Sequence, residues 1–282
     1  MNLDITKSIV YHYTSLETLK CIFDNYSKEN PYITFWASNC AFMNDPQEVS
    51  EGIELVRDVL NKELPTHLKK FAEFILQNST DDIKDYFLMG SAHGKSDIPY
   101  AISFSRNEDN LNLWRMYGDS GRGIALGFDI ECMKPTEASI IECVYNQDDD
   151  ILMEFKATMI KEFLSLYNAL DPPPGSMPLD VYAEIMTCAA LSRYISKIKN
   201  SCYAYEDECR LTMNCSNTKF RVINGVFVPY TEIEIPIDSL HEIVIGPDCN
   251  RLNINSLNLF FASKGLNRIE KNIRQSTIPY RN

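Results

Sequence analysis

The order of its strand-like and helix-like runs constrains this chain more than any single motif. Two short runs rich in β-branched and aromatic residues open it, Ser8–Tyr13 and Tyr32–Ala37. Amphipathic stretches follow at Gln47–Asn61, Pro65–Gln77 and Asp82–Met89. Strand patterns return at Tyr100–Phe104, Ile124–Phe128 and Ile140–Tyr145. Helical patterns take over at Asp148–Leu170 and Leu179–Ile198, interrupted by Asp171-Pro172-Pro173-Pro174-Gly175, which no helix can cross. The remainder reads as the strands Tyr205–Met213, Arg221–Val228, Thr231–Ile237 and Glu242–Ile245, the helix Ser256–Lys264 and the strand Arg268–Ser276. Strands and helices in blocks predict an α+β fold with a mostly antiparallel or mixed sheet. One domain over 1–282 is expected, with helical insertions at about 47–89 and 148–198. Neither G-x-G-x-x-G nor G-x-x-x-x-G-K-[ST] is present, so a Rossmann site and a P-loop are not expected.

Charge narrows the function classes. The net charge is −12 at pH 7, which repels phosphate backbones at long range and argues against a general nucleic-acid binder. The nine cysteines include no Cys-x-x-Cys pair, and Cys202, Cys209 and Cys215 have no histidine at zinc-like spacing. No metal is expected, and reduced thiols fit a cytoplasmic protein. Met1–Asp4 lacks a basic-then-apolar signal pattern, and no apolar run reaches the ~20 residues of a membrane helix.

Several residues could carry chemistry, and each has a plainer reading. His12 lies in an apolar strand: a locally bonded strand histidine, or a polar group projecting into a cleft. On a strand, Glu206, Glu208 and Arg210 share one face. Such charges usually form a solvated edge, yet two carboxylates roughly 7 Å apart beside a guanidinium also make a workable polar site. Ser103 and Ser105 end a strand. Trp114 and Tyr117 share a helix face, where core packing competes with a stacking platform for a planar ring. Asp45 is expected to cap the helix beginning near Pro46, which places Glu48 at its third position.

In order, Tyr11-His12-Tyr13-Thr14-Ser15, Asn44-Asp45-Pro46-Gln47-Glu48, Ser103-Phe104-Ser105, Leu113-Trp114-x-x-Tyr117-Gly118, Gly123–Asp129, Tyr205-Glu206-x-Glu208-x-Arg210 and Ile243-Val244-Ile245-Gly246 resemble the bacterial family catalogued as domain of unknown function 2971. Tyr203 stands where that family usually has Trp. The opening pattern also resembles, remotely, the first motif of ADP-ribosyltransferases. That second resemblance implies an ADP-ribosyltransferase-like split, mixed β-sheet with NAD as substrate. His12 matches the first signature position and Glu208 the last. The middle position is open between Ser103, Ser105 and Tyr117.

The resemblance implies the following roles. Glu208 stabilises the oxocarbenium-like ribose formed as nicotinamide leaves, and Glu206 positions the acceptor. His12 holds the ribose or the nicotinamide amide, with Tyr13 and Thr14 beside it. Trp114 or Tyr117 stacks on the ring, and Arg210 counters the pyrophosphate or orients Glu208. It implies a transferase or NAD glycohydrolase whose acceptor is a protein rather than nucleic acid, and by analogy a toxin or phage-defence effector. The alternatives are a non-catalytic binding or regulatory module, with the acids and Arg210 as an ion-pair network, and an RNA-end-processing enzyme.

Overall fold

The computed structural model describes residues 9–45, 47–60, 73, 75–89, 96, 98–133, 138–145, 149–168, 192–214, 217–270 and 272–280. In chain order its elements are β1 (Ile9–Thr14), α1 (Leu16–Ile22), β2 (Tyr32–Asn39), α2 (Glu48–Leu60), α3 (Thr80–Met89), β3 (Tyr100–Ser105), α4 (Leu111–Met116), β4 (Ile124–Asp129), α5 (Ile130–Met133), β5 (Ser139–Glu142), β6 (Val144–Tyr145), α6 (Asp149–Asn168), β7 (Ile198–Lys199), β8 (Glu208–Met213), β9 (Lys219–Ile223), β10 (Val226–Pro236), β11 (Leu240–Ile245), α7 (Arg251–Ser263), α8 (Asn267–Glu270) and β12 (Ile273–Gln275). This is an α+β fold around a mixed sheet. The sheet runs β12-β11-β4-β1-β3-β2-β10-β9, with β8 on β3 and β5 on β8. The β11–β12 pair is parallel, and the other pairs of this sheet are antiparallel. The parallel pair β6–β7 stands apart.

Alternation along the strands builds the layers. Val10 of β1, Phe35 of β2, Phe104 of β3 and Leu211 of β8 face a large core that Phe23 and the α7 residues Leu257 and Phe261 complete. The other face is covered twice. Val49, Ile53 and Val56 of α2 pack with Ile83 and Phe87 of α3 and with Ala101. Tyr11 and Tyr13 pack with Leu113 and Trp114 of α4. Local chemistry starts the helices: Ser15 Oγ accepts from the Thr18 N–H at 3.2 Å, and Asn250 caps α7.

The edges of β3 create the site. One edge carries β8, from Tyr100 opposite Met213 to Ser105 opposite Glu208. The other edge is shared. β1 meets it at Tyr11 opposite Ser105, and β2 meets it at Ser38 opposite Ala101 and Asn39 opposite Tyr100. The sheet therefore forks over Ile102–Phe104. A backbone carbonyl exposed by such a fork needs another partner, and the His12 ring supplies it through Nδ1, 2.9 Å from Ser103 O.

Four strand expectations need correction. The run Tyr205–Met213 is a strand only from Glu208, because Asn200 caps a 3₁₀ turn over Ser201–Glu206 and Asp207 takes a left-handed φ of 44°. The run Arg221–Val228 is a hairpin, β9 to β10, turning at Asn224 (φ 49°) and Gly225 (φ 80°). Asn-Gly accommodates the two positive φ values that a tight hairpin turn requires. Ile140–Tyr145 is divided between β5 and β6, and Arg268–Ser276 between α8 and β12. The expected Pro-rich break at 171–175, most of the Pro65–Gln77 helix and most of the Leu179–Ile198 helix lie outside the described residues. No helix among the described residues is long and apolar enough to cross a membrane.

Candidate functional site

A cleft of about 670 Å³ opens at the fork. Its wall includes His12 and Tyr13 of β1, Trp36 and Ser38 of β2, Ser103 and Ser105 of β3, and Tyr117, Lys199, Glu206, Glu208 and Arg221. The volume lies within the ~300–1,000 Å³ typical of small-molecule sites.

His12 is fixed by its neighbours. Its ring meets Phe35 and Phe104 edge-on, with centroids at 5.1 and 5.8 Å. Because Ser103 O can only accept, Nδ1 carries the proton and Nε2 is left as an acceptor. Burial pulls its pKa below the ordinary value against the Ser103 contact, so the ring is neutral at pH 7. Beside it, Ser103 Oγ is buried without a hydrogen-bond partner among the described residues.

The carboxylates belong to one chain of charges. Arg210 reaches Glu208 through Nε at 2.9 Å and Nη2 at 3.0 Å. It also forks onto Glu48, with Nη2 at 2.8 Å and Nη1 on the second oxygen, and Nη1 donates to Ser196 O at 2.8 Å. Lys199 Nζ lies 2.5 Å from Glu208 Oε2 and bonds Glu206 Oε2 as well. Tyr117 OH donates to Glu206 Oε1 at 2.7 Å and accepts from Asn44 Nδ2. The sequence Glu48, Arg210, Glu208, Lys199, Glu206 thus alternates in sign, and each of these side chains is at most 5% exposed. Burial alone would raise the Glu208 pKa, but Arg210 and Lys199 outweigh it and hold the carboxyl down at about 2. Burial works against the Lys199 ammonium too, and the Glu208 and Glu206 charges keep its pKa above the ordinary value. Burial and Glu206 together push the Tyr117 phenol up.

Glu206 and Glu208 converge for a reason other than strand alternation. The left-handed Asp207 folds the chain so that one ammonium touches both carboxylates. Tyr203 covers that ammonium, its ring centroid 5.0 Å away.

Three expected ligand-binding residues are off the cleft wall. Trp114 is fully buried, donates from Nε1 to Asp109 at 2.7 Å and packs on Tyr13, so it offers no stacking face. The indole on the cleft wall is that of Trp36, 47% exposed. Arg210 is fully buried with its donors on carboxylates and a carbonyl, which rules it out as a pyrophosphate contact and leaves it orienting Glu208. Thr14 is buried in β1 beside Ile124. Ser105 and Tyr13 touch the cleft, but their hydroxyls already serve the backbone: Ser105 Oγ donates to Glu206 O at 2.5 Å, and Tyr13 OH donates to Asn107 O at 2.8 Å.

Sequence reading missed Lys199, the Glu48 pairing and Arg221. Glu48 reads locally as a helix-start carboxylate, and Asp45 Oδ1 does accept from the Gln47 N–H at 2.9 Å. Nothing local marks Lys199. The signal for Arg221 was a charge set between the apolar Phe220 and Val222 of a strand. Among the described residues, no group of three or more His, Cys, Asp or Glu is placed to hold a metal ion.

A family model described as "Protein of unknown function (DUF2971)" matches residues 113–211, a span that holds Trp114, Tyr117, Lys199, Glu206, Glu208 and Arg210. No curated protein and no solved structure matches the chain.

Proposed function

We propose that the cleft binds NAD on an ADP-ribosyltransferase-like split sheet and that the protein transfers or hydrolyses its ADP-ribose. One observation carries the reading: His12 and Glu208, from strands on either side of β3, line the same cleft at the fork of the sheet. Ser103 Oγ, without a partner among the described residues, and the accepting His12 Nε2 suit hydroxyl and amide groups. In the reaction the bond from ribose C1′ to the nicotinamide nitrogen breaks, and nicotinamide leaves with the electron pair. Water or an acceptor nucleophile then bonds to C1′ and gives its proton to solvent. Glu208, ionised at any pH near neutrality, stabilises the positive charge that builds on the ribose. His12 Nε2 accepts a hydrogen bond from a ribose hydroxyl or the carboxamide, and Glu206, tied to Tyr117, faces the acceptor.

The test is nicotinamide release from NAD by wild type and Glu208→Gln, with NAD affinity measured alongside. The expected result is a rate loss on the order of a hundredfold or more at nearly constant affinity. Equal rates, or no NAD binding at millimolar concentration, would reject the catalytic reading. The second reading, a non-catalytic binding module, draws on the saturation of Glu208: both oxygens are held by Arg210 and Lys199, and its side chain is 3% exposed.

A further inference from the structure

We propose that Arg221 recognises the phosphate groups of the ligand that enters the cleft, so that the cleft selects nucleotides over nucleosides. This deepens the nucleotide reading above and rests on it. In the β9–β10 hairpin, alternation sends Arg221 and Ile223 toward the cleft, while Phe220 and Val222 are 62% and 63% exposed. The guanidinium carbon lies 5.7 Å from the Trp36 ring centroid and 5.8 Å from that of Tyr230. Those rings cover the cation without using its N–H groups. Of its donors, Nη2 reaches Ser38 Oγ at 2.7 Å, and Nε is buried with no hydrogen-bond partner among the described residues.

No carboxylate pairs with Arg221 among the described residues. The nearby candidate, Glu232, stands opposite Trp36 in the sheet and is taken by Lys219 at 2.7 Å. The other cation on the cleft wall, Lys199, is neutralised by two carboxylates. A half-buried guanidinium bears a desolvation cost that an anion relieves, and its planar fork matches two phosphate oxygens. The cleft therefore has polarity. Acids and His12 lie on the β1 and β8 side of the fork, suited to ribose, and an unneutralised cation lies on the β2 side, suited to phosphate.

Calorimetry with the full chain tests this using three probes: ADP-ribose, inorganic pyrophosphate and adenosine. Wild type is expected to bind ADP-ribose and to have that binding competed by pyrophosphate. Arg221→Gln should weaken ADP-ribose by on the order of tenfold or more and lose pyrophosphate, while adenosine is unaffected. Arg221→Lys should fall between, because it keeps charge but not the fork. The proposal is overturned if pyrophosphate at millimolar concentration fails to compete on unmodified protein, or if Arg221→Gln binds ADP-ribose as tightly as wild type. Its failure is separable from that of the catalytic reading. Phosphate binding through Arg221 without nicotinamide release removes only the catalysis. Nicotinamide release with an unchanged KM in Arg221→Gln removes only the phosphate contact.

Discussion

Arg210 and Arg221 are both strand arginines beside the same cleft, and they are held in opposite ways. Arg210 is buried and satisfied by Glu48, Glu208 and Ser196 O. Arg221 is half-buried, has aromatic rings for neighbours and keeps Nε without a partner among the described residues. The first arrangement uses a cation to fix two acids in place. The second leaves a cation whose charge is answered by nothing in the described protein. Residue type alone does not separate structural from ligand-facing charge; the count of committed donors does.

The contrast is broken most directly at Arg210. Arg210→Ala leaves Glu48 and Glu208 buried without their guanidinium and is expected to cost about 3–5 kcal/mol, read by urea denaturation. A loss under ~1 kcal/mol would mean that the network does not organise the fold.

The next effect is the pH dependence of Glu208. Its folded pKa of about 2 lies below the ordinary 4.5, so its stabilisation is complete above the ordinary value and is lost as pH falls from 4.5 toward 2. The amount is roughly 3 kcal/mol. Denaturation midpoints across that window should drop steeply for wild type and more gently for Glu208→Gln. Parallel curves would show that the carboxylate is not held by its cations.

The smallest effect sharpens the other side. Arg221→Gln should cost about 1 kcal/mol, because it removes no ion pair and gives up only the ring contacts and the Ser38 hydrogen bond. A thermal melt showing a larger loss would make Arg221 structural, like Arg210.

Much of the frame was readable in the chain. The β-branched and aromatic runs marked β1 to β4, and block order gave the α+β class. His12 was legible as a cleft candidate because it is a polar side chain in an apolar strand, Ser103 because it ends a strand, Tyr117 from its helix face, and Glu206 and Glu208 from their place beside Arg210. The hairpin at Asn224-Gly225 carried its own signal and was still read as one strand, since the apolar residues flanking the turn disguised it. For Trp114 the core reading held and the stacking role did not, because a helix face does not reveal which side meets the core, and Asp109 took its N–H.

What the sequence determined by itself is local: alternation, caps, turn chemistry and the class of fold, all set by residues a few positions apart. The site was decided by contacts far apart in the chain. Glu48 and Arg210 are 162 positions apart, and Arg221 and Ser38 are 183 apart. Such pairs depend on which strands share the edges of β3, and that is settled only when the whole sheet forms. Asp207 adds a local twist with a distant result, since its left-handed backbone turns two acids onto Lys199, a cation that no nearby pattern announces. Burial then fixes the charge states, because desolvation acts on a group according to what surrounds it rather than what precedes it.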